Sequence, residues 1–407
     1  MLKVTIVITL DVQNERLNMH VIQVVPRFPP AIGGMEEHVY QISLELTRRG
    51  HNVAVVTSNE ADGKTCPVQT EVMEGIDVYR FPLFMPRMLR ESWFIPEILK
   101  CFLRLRADVV HVHGYRCLSS FNAVYFAQAR NIPSVLTPHG IYPTRSFING
   151  LAKSIFDHVF GRLLLSFSDK IIALSEHNRQ LLLQFGASAD KIVIVPNGVN
   201  VEEYASLQRS NSILEELKTD GPVLLYVGRI DWNKRVEKIV EAMPTILKEF
   251  PQAKFVAVGP DYGNYVGKLS AIARKLDVGR SLVIAGNVSR ERLFEFYSAA
   301  DAFLLPSSYE GFGLSMLEAM SSKVPVIASH YGGPGDILSH GVNAWLLKES
   351  TPNEISRSVY AVLTDRRLRE GLVKNAFELV KKYTWKNVVN ELEIIYEQTI
   401  TEKAKNG

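Results

Sequence analysis

Short runs of aliphatic and β-branched residues alternate with helical patterns along nearly the whole chain. The clearest runs are HVIQVV (20–25), NVAVVT (52–57), VVHVH (109–113), SVLT (134–137), VLLYVG (223–228), AKFVAVG (253–259), AFLLPS (302–307) and PVIAS (325–329). Helical stretches such as 36–49 and 234–250 separate them. This alternation is typical of βαβ units, in which helices cover the faces of a parallel sheet. The sequence therefore predicts an α/β fold.

The length of 407 residues indicates more than one domain, because single hydrophobic cores stop growing at about 250–300 residues. Each half has the pattern of a doubly wound domain, and a polar stretch near 197–212 lies between them. We predict a first domain over 19–200, a second over 201–383, and a final helix in 384–407 that packs on the first domain. Residues 1–18 precede the first well-formed strand and are interpreted as a dispensable extension.

The composition is that of a soluble globular protein, with 46% hydrophobic and 22% charged residues. A net charge of +3 is too small to indicate nucleic-acid binding. Cys66, Cys101 and Cys117 show neither disulfide nor metal-ligand spacing, which favours a reducing compartment. No apolar run has the length of a transmembrane helix. The sequence predicts a cytoplasmic protein without a signal peptide.

Two glutamates frame a glycine-rich bend in EGFGLSMLE, where Glu310 and Glu318 stand eight residues apart. The segment follows an apolar strand and runs into a helix, whose N-terminus favours an anion. The backbone amides expected at that N-terminus belong to Phe312, Gly313, Leu314 and Ser315. Most glutamates are simply solvated, but carboxylates on either side of an anion site suit the hydroxyl groups of a sugar and a second polyol. The pattern suggests a nucleotide-sugar site.

A second candidate lies in VGRIDWNKR (227–235), which ends a strand and opens a helix. Arg229 and Lys234 are expected on an exposed loop at the carboxyl end of a parallel strand, where open α/β sheets place ligands. Two cations there could bind a diphosphate and stabilise the charge of a leaving group. A pair of solvated surface charges is the alternative.

The first half offers a glycine pair and several histidines. Gly33 and Gly34 in PRFPPAIGGMEEH precede a helix, a position that suits either a phosphate or a plain tight turn. TPHG places His139 beyond the end of a strand, where it could contact a sugar hydroxyl. His111 and His113 together with His139 also suggest a metal site. Metal is the less favoured interpretation, because His111 and His113 lie along a buried-looking strand and the sequence contains no Asp-x-Asp pair.

These motifs together resemble those of the retaining glycosyltransferases of family 4, over nearly the whole chain from Met19 onward. The matching segments are PPAIGGMEEHV, TPHG, ALSEHNRQLL, VPNGVN, VGRIDWNKR, DAFLLPSSYEGFGLSMLEAM and PVIASHYGG. The resemblance implies the GT-B fold, in which two Rossmann-like domains face each other. It also implies a hexosyltransferase that needs neither metal nor cofactor. The donor would be a UDP- or GDP-sugar, and the acceptor a glycan, a glycolipid or another hydroxyl compound.

The resemblance assigns roles to individual residues. Four of them would act on the reacting groups, with Arg229 and Lys234 on the pyrophosphate, Glu310 on the transferred sugar and His139 beside its reactive carbon. The donor-binding set would be Gly34, Arg229, Lys234, Val288, Glu310, Phe312, Gly313, Leu314, Ser315 and Glu318. In that set Glu318 would bind the ribose hydroxyls, and the backbone near Val288 would contact the base. Lys323 departs from the family pattern, which has a helix-ending glycine there.

The acceptor is expected to bind the first domain, and the sequence does not identify it. The segment 81–106 mixes aromatic and aliphatic residues with four arginines and a lysine, and 141–167 is a milder version. Basic amphipathic segments can rest on an anionic membrane, and a core-facing helix with solvated arginines is the alternative. Contact through 81–106 would place the protein at the inner face of the cell membrane.

Two further functions share the same two-domain plan. A nucleotide-sugar 2-epimerase would use the site for elimination and readdition, although the Arg229–Lys234 and Glu310–Glu318 pairs suit transfer better. A non-catalytic nucleotide-sugar-binding protein would be expected to lack some of these residues, and all are present. An NAD-dependent dehydrogenase is disfavoured, because no GxGxxG motif follows the first strand.

Overall fold

The computed structural model describes residues 18–61, 64–83, 98–140, 154 and 156–406. The predicted extension 1–18 lies outside the described residues except for Asn18. Most of the basic segment 81–106 and the first part of 141–167 also lie outside them. Within the described residues, no helix combines the length and the apolar character needed to cross a bilayer.

The first sheet comprises eight of the described strands. In chain order the strands of this half are β1 (His20–Val24), β2 (Asn52–Ser58), β3 (Glu60–Ala61), β4 (Lys64–Thr65), β5 (Thr70–Met73), β6 (Ile76–Phe81), β7 (Val109–His113), β8 (Ser134–Thr137), β9 (Lys170–Ala173) and β10 (Ile192–Ile194). The sheet order is β10-β9-β8-β7-β1-β2-β6-β5, while β3 and β4 form a separate antiparallel pair. Its strands run parallel except for β5, which pairs antiparallel with β6.

The second sheet is parallel throughout its six described strands. They are β11 (Val223–Val227), β12 (Lys254–Val258), β13 (Leu282–Gly286), β14 (Ala302–Leu305), β15 (Val326–Ser329) and β16 (Trp345–Leu347). Their order is β13-β12-β11-β14-β15-β16. One continuous apolar cluster surrounds this sheet, and two others cover the faces of the first sheet. The strands read as nearly continuous apolar runs because both faces are covered.

Helices follow most of the strands, as expected for βαβ units. They are α1 (Gly34–Arg48), α2 (Ile98–Arg104), α3 (Leu118–Ala129), α4 (Arg162–Phe167), α5 (Glu176–Gln184), α6 (Val201–Ala205), α7 (Asn211–Leu217), α8 (Val236–Glu249), α9 (Tyr265–Lys275), α10 (Arg290–Ala299), α11 (Leu314–Ser321), α12 (Pro334–Ile337), α13 (Pro352–Thr364), α14 (Arg366–Val380) and α15 (Trp385–Asn406). Side chains cap several of their N-termini, for example Ser175 before α5 and Ser289 before α10.

One predicted helix is divided in the structure. The sequence pattern suggests a single helix over 352–380, whereas the structure has α13 and α14 with Asp365 between them. Asp365 leaves the helical conformation, and its side chain accepts a hydrogen bond from the backbone N of Leu368 at 2.9 Å. An aspartate at this position begins a new helix because it satisfies an amide that has no intrahelical partner.

The final helix, α15, returns to the first domain as predicted. Glu393 accepts hydrogen bonds from Arg49 Nη1 at 2.8 Å and pairs with His51 Nε2 at 3.0 Å. The hydroxyl of Tyr396 lies 2.6 Å from Nδ1 of His111 in β7. Val199 pairs with Thr384, so the two chain segments that join the domains lie side by side. The domain boundaries at 200 and 383 stay predictions.

The order of the strands fixes where ligands can bind. In each sheet the chain winds outward in both directions from a central pair, β1–β7 in the first and β11–β14 in the second. Ligands of open α/β sheets bind outside the carboxyl ends of the strands at such a switch point. The relevant loops are therefore those that follow these four strands, and they carry most of the motifs singled out in the sequence.

Candidate active site at the junction of the two domains

The loop after β11 is held in shape by Asp231. Its Oδ1 accepts hydrogen bonds from the backbone N of Asn233 at 2.8 Å and of Lys234 at 3.1 Å. Arg229 precedes this turn, with Nη2 3.8 Å from Asp231 Oδ2 and the guanidinium 5.4 Å from the ring centre of Tyr262. The Arg229 side chain is 36% exposed. It can therefore reach an anion at the carboxyl end of the sheet while it stays close to Asp231 and Tyr262.

Lys234 lies next to Glu310, which belongs to the loop after β14. Its ammonium donates a hydrogen bond to Glu310 Oε2, and the two side chains are only 9% and 10% exposed. Asn233 joins the same two loops, because its Nδ2 donates to the carbonyl of Tyr309 at 2.7 Å. The expectation that Lys234 is exposed is wrong. The two loops pack against each other, and this contact removes the ammonium from bulk solvent.

A third loop, which follows β15, contacts the backbone of Glu310. The carbonyl of Glu310 accepts a hydrogen bond from the backbone N of Gly333 at 2.9 Å. Gly332 has a left-handed backbone with φ +85°, and a Cβ atom there would lie 2.0 Å from the same carbonyl oxygen. Only glycine fits so close to the Glu310 backbone. The PVIASHYGG segment thus positions the loop that carries Glu310.

The N-terminus of α11 faces the same region. Gly313 precedes the helix with φ +93°, a left-handed conformation that glycine adopts without strain. Phe312 is buried, whereas Leu314 and Ser315 are partly exposed. The amides of the first helical turn have no carbonyl partner within the helix. Their alignment with the helix dipole makes this end suitable for a phosphate or a sugar oxygen.

Glu318 lies one turn further along α11 and is held by tyrosines. The hydroxyl of Tyr297 donates to Glu318 Oε2 at 2.7 Å. Burial raises the pKa of the Glu318 carboxyl, and hydrogen bonds from Tyr297 and Tyr204 partly oppose this rise. A partly exposed carboxylate held in this way has lone pairs left for a diol. Val288 lies in the loop between β13 and α10 and packs against the apolar cluster that surrounds the second sheet.

His139 belongs to a group of buried imidazoles in the first domain. Its Nε2 is 2.9 Å from Nδ1 of His113, whose Nε2 is 2.7 Å from Oε1 of Gln23. His38 packs edge-on against the His139 ring, with 4.7 Å between the ring centres. Burial lowers the pKa of His38 to about 4 and holds those of His113 and His139 well below the usual value. These imidazoles are neutral at physiological pH.

Helices α1 and α5 of the first domain contact the second domain near the N-terminus of α11. Gly34 begins α1, and a Cβ atom there would lie 3.5 Å from Leu314 Cδ1. Asn178 Nδ2 donates to the carbonyl of Gly311 at 3.1 Å, and Arg290 Nη1 lies 3.5 Å from Glu37 Oε1. The loop with the glycine pair is therefore opposite the N-terminus of α11, and the structure brings both halves of the predicted site to one junction.

The histidines also bear on the metal hypothesis. Nitrogen atoms of His38, His113 and His139 lie within 4.8 Å of one another, a spacing that a transition metal could span. His111 is engaged elsewhere, since its Nε2 lies 2.7 Å from Oγ1 of Thr137. The set that converges thus differs from the one considered in the sequence. His113 and His139 share a hydrogen bond, which satisfies both without an ion.

Several residues that shape the site were not identified from the sequence. They are Gln23, His38, Tyr204, Asp231 and Tyr297. The period-two pattern of VVHVH pointed to polar side chains on one face of β7, and Gln23 has the same phase on the neighbouring strand β1. Tyr297 lies on α10, in a different helix from Glu318. Its role depends on helix packing that local sequence does not reveal.

Family models match both halves of the chain. The model described as "Glycosyl transferases group 1" matches residues 209–379, and "Glycosyltransferase Family 4" matches residues 32–203. An uncharacterized glycosyltransferase of Methanocaldococcus jannaschii is 29% identical and aligns over 93% of this chain and 98% of its own length. A glycogen synthase of Mycobacterium tuberculosis is 27% identical over 93% and 94%.

Solved structures share the fold at low sequence identity. The sucrose-phosphate synthase of Thermosynechococcus elongatus superposes with a TM-score of 0.80 at 22% identity, covering 94% of this chain and all of the other. Anabaena HepE in complex with UDP gives a TM-score of 0.76 at 19% identity, covering 93% and 100%. Two α/β domains built on largely parallel sheets, with the site loops at their junction, define the GT-B fold that these structures share. More specifically, the chain belongs to the group 1, family 4 glycosyltransferases, which transfer a sugar from a nucleotide sugar.

Proposed function

We propose that this protein is a retaining, metal-independent hexosyltransferase with its donor site at the junction described above. The observation that carries the proposal is the Lys234–Glu310 ion pair beside the N-terminus of α11. It places a cation, a carboxylate and a row of helix amides within one small region. A nucleoside-diphosphate sugar carries matching groups, namely a diphosphate and a polyol.

Each donor group has a partner in the second domain. Arg229 and Lys234 bind the diphosphate, and the charge of both residues stabilises the departing nucleoside diphosphate. Glu310 binds hydroxyl groups of the transferred sugar, and the amides from Phe312 to Ser315 hold sugar and phosphate oxygens. Glu318, fixed by its tyrosines, accepts hydrogen bonds from the ribose. The backbone near Val288 contacts the base.

The first domain completes the site. His139 lies beside the reactive carbon of the sugar, and Gly34 leaves space for the phosphate and the acceptor opposite Leu314. The diphosphate departs from the same face at which the acceptor hydroxyl attacks, and a donor phosphate oxygen takes the hydroxyl proton. The product then keeps the anomeric configuration of the donor.

The donor is a UDP- or GDP-sugar in our proposal, and related structures support a nucleoside-diphosphate sugar without deciding the base. Anabaena HepE was solved with UDP-glucose, and an Arabidopsis starch synthase with ADP and acarbose. The acceptor is a glycan, a glycolipid or another hydroxyl compound, and the relatives include proteins named phosphatidylinositol N-acetylglucosaminyltransferase and D-inositol 3-phosphate glycosyltransferase. We place the enzyme in the cytoplasm, at the inner face of the membrane when its acceptor is lipid-linked.

A donor screen tests the proposal. The melting temperature is measured with UDP-, GDP- and ADP-sugars, since a tight ligand stabilises the native state by mass action. The best donor is then incubated with candidate acceptors, and NMR identifies the anomer formed first. Stabilisation by one donor class and a retained anomer are expected. An inverted product, or no stabilisation by any nucleotide sugar, would contradict the proposal.

A further inference from the structure

A chain of hydrogen bonds runs behind His139 into the interior of the first sheet. Gln23 of β1 contacts His113, the last residue of β7, and His113 contacts His139 in the loop after β8. Gln23 and His113 are fully buried, and His139 is 9% exposed. The chain therefore connects the sheet interior to the imidazole that the proposed function places beside the sugar.

The direction of these hydrogen bonds follows from the chemistry of the groups. The side-chain oxygen of Gln23 can only accept, so Nε2 of His113 carries its proton. A neutral His113 then has a lone pair on Nδ1, which faces Nε2 of His139. That nitrogen must donate, so it carries the proton of His139. The lone pair of His139 is left on Nδ1.

We propose that Gln23 and His113 are positioning residues that fix His139 in the Nε2-protonated tautomer, so that its Nδ1 accepts a hydrogen bond from a hydroxyl of the donor sugar. The inference rests on the proposed placement of His139 beside that sugar. A histidine without fixed partners would exchange its donor and acceptor nitrogens and would present the wrong one part of the time.

The surroundings of His139 hold the ring as well as its proton. The residue has a left-handed backbone with φ +58° and is followed by Gly140 with φ +116°. A left-handed backbone conformation costs free energy in residues other than glycine and is retained where the surroundings impose it. Here the ring is fixed by the hydrogen bond to His113 and by edge contact with His38.

His38 presents a second acceptor at the same place. Its Nδ1 is 2.7 Å from Oδ1 of Asn197, an oxygen that can only accept, so Nδ1 carries the proton. The lone pair on Nε2 is buried and has no hydrogen-bond partner among the described residues. A buried acceptor without a partner is unfavourable. A substrate hydroxyl that enters beside His139 would supply the missing donor.

Tautomers can be read directly by NMR. In the ¹⁵N-histidine-labelled protein, protonated and unprotonated ring nitrogens have well-separated chemical shifts, and single His→Asn variants assign them. We expect unprotonated Nδ1 and protonated Nε2 in both His113 and His139. Protonated Nδ1 in His139 would overturn the proposal, because it would mean that the Gln23 amide is turned and the whole chain runs in reverse.

A matched pair of variants separates positioning from packing. His113→Asn keeps an oxygen near the position of Nδ1 and can still accept from His139, whereas His113→Leu has a similar shape without the acceptor. Gln23→Glu and Gln23→Met form a second pair at the far end of the chain, which serves if one His113 variant does not fold. Turnover is followed as release of nucleoside diphosphate from the best donor of the screen, with water as acceptor.

His113→Leu is expected to lower kcat about tenfold, the effect of one lost hydrogen bond in the transition state, and to mix the tautomers of His139. His113→Asn should keep the tautomer and most of kcat. The Kd for the free nucleoside diphosphate, measured by calorimetry, should be equal in all variants. Equal losses of kcat in the Asn and Leu variants, or none in either, would overturn the inference. Absence of donor turnover in the wild type would contradict the proposed function, while the NMR result would still decide the tautomer.

Discussion

Lys234 and Glu310 form an ion pair that joins the loops following β11 and β14, the two central strands of the second sheet. The pair is nearly buried, so each charge depends on the other for its solvation. It also places a cation and a carboxylate side by side at the switch point of the sheet, where a ligand of mixed character is expected. We therefore expect these two side chains to contribute to both the stability and the activity of the protein.

Replacing Lys234 should lower both stability and turnover. Lys234→Met keeps the length of the side chain but leaves Glu310 as an unpaired, nearly buried carboxylate. We expect the free energy of unfolding to fall by about 3 kcal/mol and kcat by roughly 10²–10³-fold. Denaturant titration and donor turnover measure the two effects. The double variant Lys234→Met/Glu310→Gln should recover part of the stability but none of the turnover.

Arg229→Ala is the control for this prediction, because the Arg229 side chain is about one third exposed. It should reduce turnover by a similar factor while changing the free energy of unfolding by less than about 1 kcal/mol. If Lys234→Met were as stable as Arg229→Ala, the ion pair would carry no stability. If both variants kept wild-type turnover, the diphosphate would bind elsewhere.

Glu318→Gln should separate stability from nucleotide binding. Burial raises the pKa of the Glu318 carboxyl, so the folded state disfavours its ionised form and the charge costs stability at pH 7. The amide removes that cost, and the variant should be more stable than the wild type at pH 7. The advantage should fade as the pH falls towards about 4.3, where the unfolded carboxyl is protonated.

Binding should change in the opposite direction, because the amide is a poorer acceptor for a ribose diol than a carboxylate. Calorimetric titration with the free nucleoside diphosphate should show a Kd about tenfold weaker for Glu318→Gln. Glu310→Gln, which acts on the sugar, should leave that Kd nearly unchanged and reduce turnover. Equal losses of affinity in the two variants would contradict the separate roles.

The buried histidines should make the protein sensitive to acid. Burial lowers the pKa of His38 to about 4 and holds those of His111, His113 and His139 well below the usual value. Their contribution to stability is present above about pH 6.5 and is lost as the pH falls towards the folded pKa values. In this range each histidine binds a proton on unfolding. The free energy of unfolding therefore falls by about 1.4 kcal/mol per histidine for each pH unit of acidification.

Denaturant titrations at pH 7, 6 and 5 measure this slope. His111→Gln should reduce it by about 1.4 kcal/mol per pH unit, since it removes one buried imidazole outside the proposed sugar site. His158→Asn is the matched control, because it removes an exposed histidine of the described surface. A wild-type slope no steeper than that of the His111→Gln variant would show that the buried histidines do not control acid stability.

Metal ions should inhibit this enzyme rather than support it. Donor turnover should survive treatment with EDTA, because cationic side chains and helix amides neutralise the diphosphate in the proposed site. Micromolar Zn²⁺ should reduce turnover, since nitrogen atoms of His38, His113 and His139 lie close enough to share an ion that favours imidazole. EDTA should reverse that inhibition, and His38→Asn should weaken it. Activity that is lost with EDTA and restored by Mg²⁺ or Mn²⁺ would contradict the metal-independent mechanism.

Most of the second-domain site could be predicted because its residues follow apolar strands. VLLYVG precedes Arg229 and Lys234, and AFLLPS precedes Glu310, so a parallel sheet must bring these segments to the same edge. The burial of Lys234 could not be predicted in this way. It depends on hydrogen bonds such as that from Asn233 to the carbonyl of Tyr309, which join residues 76 positions apart.

The first-domain site was less visible in the sequence. TPHG indicated His139, but the approach of His38 to that ring depends on how α1 packs in the fold, which no local pattern encodes. The same limit applies to Tyr297, whose contact with Glu318 joins two helices. Lys323, which departs from the family pattern, does adopt the left-handed conformation expected of a helix-ending glycine, with φ +59°. Local backbone requirements were thus easier to predict than contacts between elements.

Gly332 offers a test of how the third loop supports Glu310. Gly332→Ala combines a left-handed backbone with a Cβ atom 2.0 Å from the carbonyl oxygen of Glu310, so the loop must move. We expect the free energy of unfolding to fall by about 2–3 kcal/mol and turnover to fall with it, because the carboxylate is displaced from Lys234. Gly341→Ala is the matched control, since Gly341 has φ +71° but nothing within 4 Å of the added atom. It should cost only the backbone strain of about 1 kcal/mol and leave kcat unchanged. Equal effects of the two substitutions on kcat would mean that the Gly332 loop does not position Glu310.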